Sequence, residues 1–296
     1  MAEVAAAVEA HGTGHGYFAR LLGRLCTHPG GIAGCVLVAV VVLGAVFAPW
    51  LSPYSPNVIH MNGSLTPPGG AHLLGTDVFG RDIATRLLYG ARFSLLVSVL
   101  SRLIAIVLGA GLGLVAGYFG GRVDAMVMRA ADVTLAYPGL LLLIAVVAAV
   151  GPSTAALFIA LGFVGWAGVA RIVRAQVLSL RERDFVAAAQ SLGMSNVRVI
   201  VRHLLPNVAG TLTVVFTMGL GMAIMAESSM SFLGLGAQPP QASWGSMLSA
   251  GLDYLRVAPW VSLVPGLAIT AAVLGFNLTG DALRDILDPR GMGRRI

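Results

Sequence analysis

Phe93-Ser-Leu-Leu-Val-Ser-Val-Leu-Ser-Arg102-Leu-Ile-Ala-Ile-Val-Leu-Gly109-Ala-Gly-Leu-Gly113-Leu-Val-Ala-Gly-Tyr118 decides the architecture before any motif is considered. Its only charge is Arg102, and it exceeds the roughly 20 helical residues that the hydrocarbon core of a bilayer requires. A helix satisfies every backbone N–H and C=O within one segment, so the run reads as a membrane span. Five more runs of this kind lie at Ile32–Trp50, Val127–Val150, Thr154–Ala170, Val208–Ala226 and Val261–Leu278. Composition agrees: 57% of the 296 residues are hydrophobic, 11% are charged, and the mean hydropathy is +0.85. That is too little charge to cover a water-exposed surface. The expected fold is an all-α membrane protein of six transmembrane helices. They fill residues 31–280, between an N-terminal segment 1–30 and a tail 281–296.

All of the basic charge is arginine, because the sequence contains no lysine. If loops alternate sides, fourteen of the nineteen arginines fall on the side of the termini, and Arg81, Arg86, Arg92 and Arg256 fall opposite. The positive-inside rule then places both termini in the cytoplasm. Residues 51–92 and 227–260, with Pro53, Pro56, Pro67, Pro68, Pro239 and Pro240, become outward loops, and 171–206 becomes a cytoplasmic loop with six arginines. Arginines beside apolar runs, rather than in a stripe with aromatics, speak for orientation in a membrane and against nucleic acid. Arg20 and Arg24 precede the first run, which is longer than a signal-peptide core and lacks a following A-x-A site, so it reads as an uncleaved span. Cys26 and Cys35 offer no disulfide framework or metal site.

The cytoplasmic stretch Asp184-Phe-Val-Ala-Ala-Ala-Gln-Ser-Leu-Gly193-Met-Ser-Asn-Val-Arg-Val-Ile-Val-Arg-His203-Leu-Leu-Pro206-Asn207 reads as helix, stop, helix. Gly193 is placed as a C-terminal stop, Ser195 as a cap for a second short helix, and Pro206 in the first turn of the next span. Ala187, Ala188 and Ala189 leave a low surface that a partner could approach. Arg181, Arg183, Arg198 and Arg202 surround it. No nucleotide motor resides in this chain: the phosphate-cradling loop G-x-x-x-x-G-K-[ST] needs a lysine. The glycines from Gly109 to Gly113 lie inside a span and point to close helix packing.

This stretch resembles the coupling loop of ABC importer permeases, E-A-A-x-x-x-G followed ten residues later by I-x-L-P. Ala188, Ala189, Gly193, Leu205 and Pro206 match, while Ala187 replaces the Glu and His203 the Ile. His72-Leu-Leu-Gly-Thr-Asp77-Val-Phe-Gly-Arg-Asp82, Gly90-Ala-Arg92-Phe-Ser-Leu95, Tyr118-Phe-Gly-Gly-Arg-Val-Asp124, Glu227-Ser-Ser-Met-Ser-Phe-Leu-Gly-Leu-Gly236 and Asp281-Ala-Leu-Arg-Asp-Ile-Leu-Asp-Pro289 resemble the dipeptide, oligopeptide and nickel branch, C-type subunit. The resemblance implies an ABC type I importer permease in a bacterial inner membrane. It would form a pathway with a homologous B-type permease and receive small peptides from an extracytoplasmic substrate-binding protein. Two ABC ATPase domains, holding ATP and Mg, would drive it through Asp184, Ala187, Ala188, Ala189, Gly193, His203, Leu205 and Pro206. This chain itself would bind no cofactor. Importers of nickel or other metal chelates, or of glutathione, are the alternative within the family; His60, Met61 and His72 match no compact metal site.

Gly75 and Gly80 permit tight turns, and Asp77, Arg81 and Asp82 can fix the first outward loop by charge-assisted hydrogen bonds. That lip and the 231–258 hairpin either receive the binding protein or brace the outer ends of the spans. Within the membrane, Arg129 and Asp132 are spaced to pair on one helix face. Arg102 is placed near the outer interface, within reach of Asp77 or Asp82, and Pro138 is placed to kink span three. Glu227, at the end of span five, is either a gate or a buried anchor for the Ser228–Ser231 turn. A gradient-driven secondary transporter is the rival from another class; the scattered histidines give a membrane enzyme no candidate site.

Overall fold

In the computed structural model, Leu25 and residues 28–287 are described. The N-terminal segment with Arg20, Arg24 and Cys26, and the end of the tail from Asp288 onward, lie outside the described residues. Regular structure among the described residues is helical apart from two isolated bridges, Gly69 with His72 and Thr76 with Asp82.

Helix α1 (Pro29–Val46) starts where the His28 ring accepts the Gly31 N–H at 3.3 Å, with Pro29 in the first turn. A four-residue α2 (Ala48–Leu51) follows. Helix α3 (Ile83–Phe119) has 37 residues, about 55 Å, and so overshoots the hydrocarbon core. The sequence places this span at 93–118, yet the helix begins ten residues sooner, because the Asp82 carboxylate caps it by accepting the Thr85 N–H at 2.7 Å. Helix α6 (Thr154–Leu180) likewise runs ten residues beyond the expected Ala170, because Val173 and Val177 continue its buried face.

The expected span 127–150, with Pro138 placed to kink it, is broken into two helices. Helices α4 (Gly121–Ala136) and α5 (Gly139–Val150) meet at 92° around Tyr137-Pro138. Proline has no N–H for a helical bond and drives the residue before it out of the α region; Tyr137 accordingly sits at φ −93°, ψ 141°. Among the described residues five helices are long and apolar enough to cross a membrane, and this pair makes the sixth if counted as one broken span.

After α7 (Asp184–Ser191), α8 (Asn196–Val199) passes through a π turn at Ile200–Leu204 into α9 (Leu205–Phe232). The expected short helix and span are thus one continuous rod. Pro206 offers no N–H to the turn behind it. The ladder widens there, with the Leu205 N–H on the Ile200 carbonyl and the Asn207 side chain donating to His203 O at 2.6 Å. The rod also carries Glu227 inside α9 rather than at its end. A capped α10 (Trp244–Ala250) and α11 (Trp260–Leu287) complete the bundle.

Small residues set the packing. A Cβ on Gly109 would lie 2.5 Å from Val169 Cβ, and one on Gly113 would lie 2.6 Å from the Ala170 carbonyl oxygen. Gly117 repeats the step against Val177, and Gly162 on α6 returns it against Ile104 at 2.6 Å. The helices α3 and α6 therefore touch backbone to backbone, as membrane helices do when small residues line the seam. Gly34 and Gly275 bring α1 and α11 together in the same way. Val36, Val40 and Leu43 of α1 remain exposed, an apolar face suited to lipid.

Candidate functional site

At the arginine-rich end, the loop 184–207 is seated by its apolar side. Val186 and Ala189 of α7 and Val199 and Leu204 of the following rod share a core with Leu114 of α3, Val173 and Val177 of α6, and Val208 of α9. One turn of α7 separates Val186 from Ala189, so both face inward. This corrects the alanine surface read from the sequence: Ala187 and Ala188 are exposed, and Ala189 is buried.

Gly193 ends α7 at φ +73°, with its N–H on the Gln190 carbonyl and the Met194 N–H on the Ala189 carbonyl, a left-handed cap. Ser195 stands at the next N-cap position without a side-chain hydrogen bond. Asp184 opens α7 and is exposed. Leu205 and Pro206 are exposed on the rod, while the His203 ring lies 6.4 Å from the Phe185 ring with its buried Nε2 unpartnered.

Sequence reasoning missed three polar contacts at this end, of which the first joins the loop to the spans. The Tyr118 hydroxyl donates to Asn196 Oδ1 at 2.9 Å and accepts from Gln190 Nε2 at 3.2 Å. Arg181 donates to the Gly117 carbonyl at 3.1 Å, so it caps α3 instead of standing free in a docking ring. Arg174 pairs with Asp124. The signal for the last was the Tyr118–Asp124 motif itself; the others arise only when α3 and α6 lie side by side. A cleft of about 730 Å³ opens nearby between α6, α9 and α11, lined by Gln176, Asn207, Thr211, Met218 and Arg284.

The opposite end carries the lip. Gly75 and Gly80 take φ values of +78° and +70°. The Asp77 carboxylate, 6% exposed, accepts from Phe79 N at 2.8 Å, Arg81 N at 3.0 Å, and Arg81 Nε and Nη2 at 2.7 Å each. Asp82 both caps α3 and meets His72 Nδ1 at 2.9 Å. Arg92 caps α1 by donating to the carbonyls of Ala45 and Val46, at 2.5 and 3.0 Å. His60 and His72 line one small cleft, but among the described residues no three His, Cys, Asp or Glu gather to hold a metal ion.

Two intramembrane expectations, for Arg102 and Asp132, change. Arg102 does not reach Asp77 or Asp82: its Nη2 donates to Val215 O of α9 at 2.8 Å, and the guanidinium packs on Gly219. Asp132 pairs across helices with Arg171 at 2.7 Å, not along its own helix with Arg129. Glu227 is wholly buried and accepts from the Ser231 hydroxyl at 2.7 Å, which in turn accepts the Ala237 N–H at 3.1 Å. These bonds link the Glu227 carboxylate to the turn after α9.

A bundle of apolar helices joined by small-residue seams, with a structured loop at each end, defines a polytopic α-helical membrane protein. Residues 109–291 match the profile of the binding-protein-dependent transport system inner membrane component, and residues 16–68 match the N-terminal TM domain of oligopeptide transport permease C. The chain is 46% identical over 267 residues, 90% of each chain, to a putative peptide transport system permease protein of Brucella abortus. It is 44% identical over 259 residues to the dipeptide transport system permease protein DppC of Alkalihalophilus pseudofirmus, covering 88% of this chain and 85% of that one. To the glutathione transport system permease protein GsiD of Pectobacterium atrosepticum it is 41% identical over 260 residues, 88% and 86% of the two chains. The chain belongs to the family of binding-protein-dependent transport system inner membrane components: it is a membrane permease subunit.

Proposed function

We propose that this chain is the C-type permease of a peptide importer, with both termini in the cytoplasm. It forms the pathway with a homologous B-type permease, takes peptides from an extracytoplasmic binding protein, and is driven by two ABC ATPase domains that hold ATP and Mg. The observation that carries the reading is the loop 184–207, whose inner side is anchored on three spans. Phe185, Ala188, Leu192, Val197 and Val201 stand exposed on its outer side. Exposed apolar side chains ringed by arginine are what a soluble partner covers.

Displacing this loop moves Val199 and Leu204, and they lie on the same rod as Val208 and Glu227. The ATPase stroke thus has a rigid path into α9. The polar lining of the 730 Å³ cleft supports its use as part of the cargo route, since Gln176, Asn207 and Arg284 are costly against lipid. Peptide cargo is supported by the names of the relatives; glutathione, itself a peptide, is favoured second by the relative from Pectobacterium.

The deciding experiment is uptake of a labelled dipeptide into proteoliposomes containing the permease pair, the ATPases and the binding protein. Accumulation is expected only with ATP and Mg inside the vesicles' nucleotide-accessible compartment. Accumulation by this chain alone under an ion gradient would establish the secondary-transporter rival instead.

A further inference from the structure

A cleft of about 400 Å³ opens at the lip end, between residues 57–86 and the segment 237–250. Ile59, Pro239, Pro240 and Met247 give it apolar walls, and Asp77, Arg81 and Arg86 give it charge. Arg81 is engaged, with Nε and Nη2 both on Asp77. Arg86 is not. It is 5% exposed; its Nη1 donates to Pro56 O at 2.7 Å, but its Nε lies 3.7 Å from Asp77 Oδ2 and has no hydrogen-bond partner. The cleft therefore sets two guanidiniums against one carboxylate, and that carboxylate already takes four donors from Phe79 and Arg81.

A buried N–H without an acceptor is costly. A neutral acceptor would satisfy the hydrogen bond and leave the charge uncompensated, whereas a carboxylate does both. We propose that the Arg86 cleft receives the carboxylate of an Asp or Glu side chain presented by the extracytoplasmic binding protein. The inference rests on the importer reading above.

Two features select this occupant beyond charge. The walls come from both long loops of one end, where a docking protein meets them together. Ile59 and Phe79 stand 54% and 42% exposed there, an apolar rim that would exclude water from the charged contact.

The test measures binding of the cargo-free binding protein to the complete permease–ATPase complex in lipid nanodiscs. Arg86→Gln should weaken it by about thirtyfold or more, as loss of one partner from a buried charged pair does. Ala250 lines the same cleft and is exposed, so Ala250→Trp fills the space while leaving Arg86 in place; it should weaken binding comparably. Arg86→Glu should be rescued by Lys or Arg at one acidic surface position of the binding protein.

Normal binding by Ala250→Trp overturns the proposal whatever Arg86→Gln does, because Arg86 is then only a brace; if Arg86→Gln fails to assemble, Ala250→Trp decides alone. Weakening seen only with peptide-loaded binding protein also overturns it, since the carboxylate then belongs to the cargo. A wild-type complex that ignores the binding protein, yet takes up peptide, sinks the importer reading along with the cleft.

Discussion

Gly80 in the lip and Gly193 in the loop 184–207 have nearly the same backbone, φ +70° and +73°, and opposite surroundings. A Cβ on Gly80 would drive into the His60 carbonyl, whereas one on Gly193 would meet nothing within 4 Å. The contrast holds for the two regions as wholes. The lip turns its polar groups inward onto each other: Asp77, Arg81, Asp82 and His72 are bonded among themselves or to backbone. The loop 184–207 is fixed by apolar side chains on one side only, and its other side is bare, with Leu192 and Val197 at 78% and 70% exposure. A region bonded to itself is stiff without help. A region with one seated face and one empty face holds its position and still offers a surface.

The comparison breaks most decisively at Asp77. Asp77→Ala leaves the Phe79 and Arg81 N–H groups and a guanidinium without their acceptor inside the lip. The expected loss is about 3–5 kcal/mol, the usual result of removing one partner from a buried charged pair. It should be read as a lowered thermal midpoint of the purified subunit. An unchanged midpoint would mean that the lip is not self-supporting.

The two glycines sharpen the same point. Gly193→Ala should cost about 1–2 kcal/mol, the penalty for a Cβ in the left-handed region alone. Gly80→Ala should cost clearly more, because the segment bearing His60 must also move. Proteolysis at each loop would report the difference, with the lip variant cut faster. Equal sensitivity at the two sites would remove the contrast between them.

Much of this was legible in the residues, and the failures have physical causes. The spans were readable because apolar length is a local property. The break at Tyr137-Pro138 was half readable: proline announces a disturbance, but the 92° turn depends on where α5 finds its neighbours. Span ends were misplaced wherever a cap or a buried face extended the helix, as Asp82 does for α3 and Val177 for α6. At the lip, Asp77, Arg81 and Asp82 lie within six residues and bond locally, so the sequence sufficed. Arg102, Asp132 and Arg181 chose partners on other helices, which no spacing along the chain encodes. Ala189 was misread because three consecutive alanines conceal which of them faces inward.

The smallest effect tests a polar tie between the bare loop and the spans. The Tyr118 hydroxyl, at the end of α3, bonds Asn196 of the rod and Gln190 of α7. Both bonds are exposed, so Tyr118→Phe should cost only about 0.5–1.5 kcal/mol, and the apolar seat of Val186 and Val199 should keep the loop in place. Stability is therefore a weak readout here. If the seat carries the stroke, Tyr118→Phe keeps the wild-type ratio of peptide taken up to ATP hydrolysed in the reconstituted complex. If the polar tie carries it, that ratio falls while hydrolysis continues, and the loop would then resemble the lip in being held by hydrogen bonds rather than by burial.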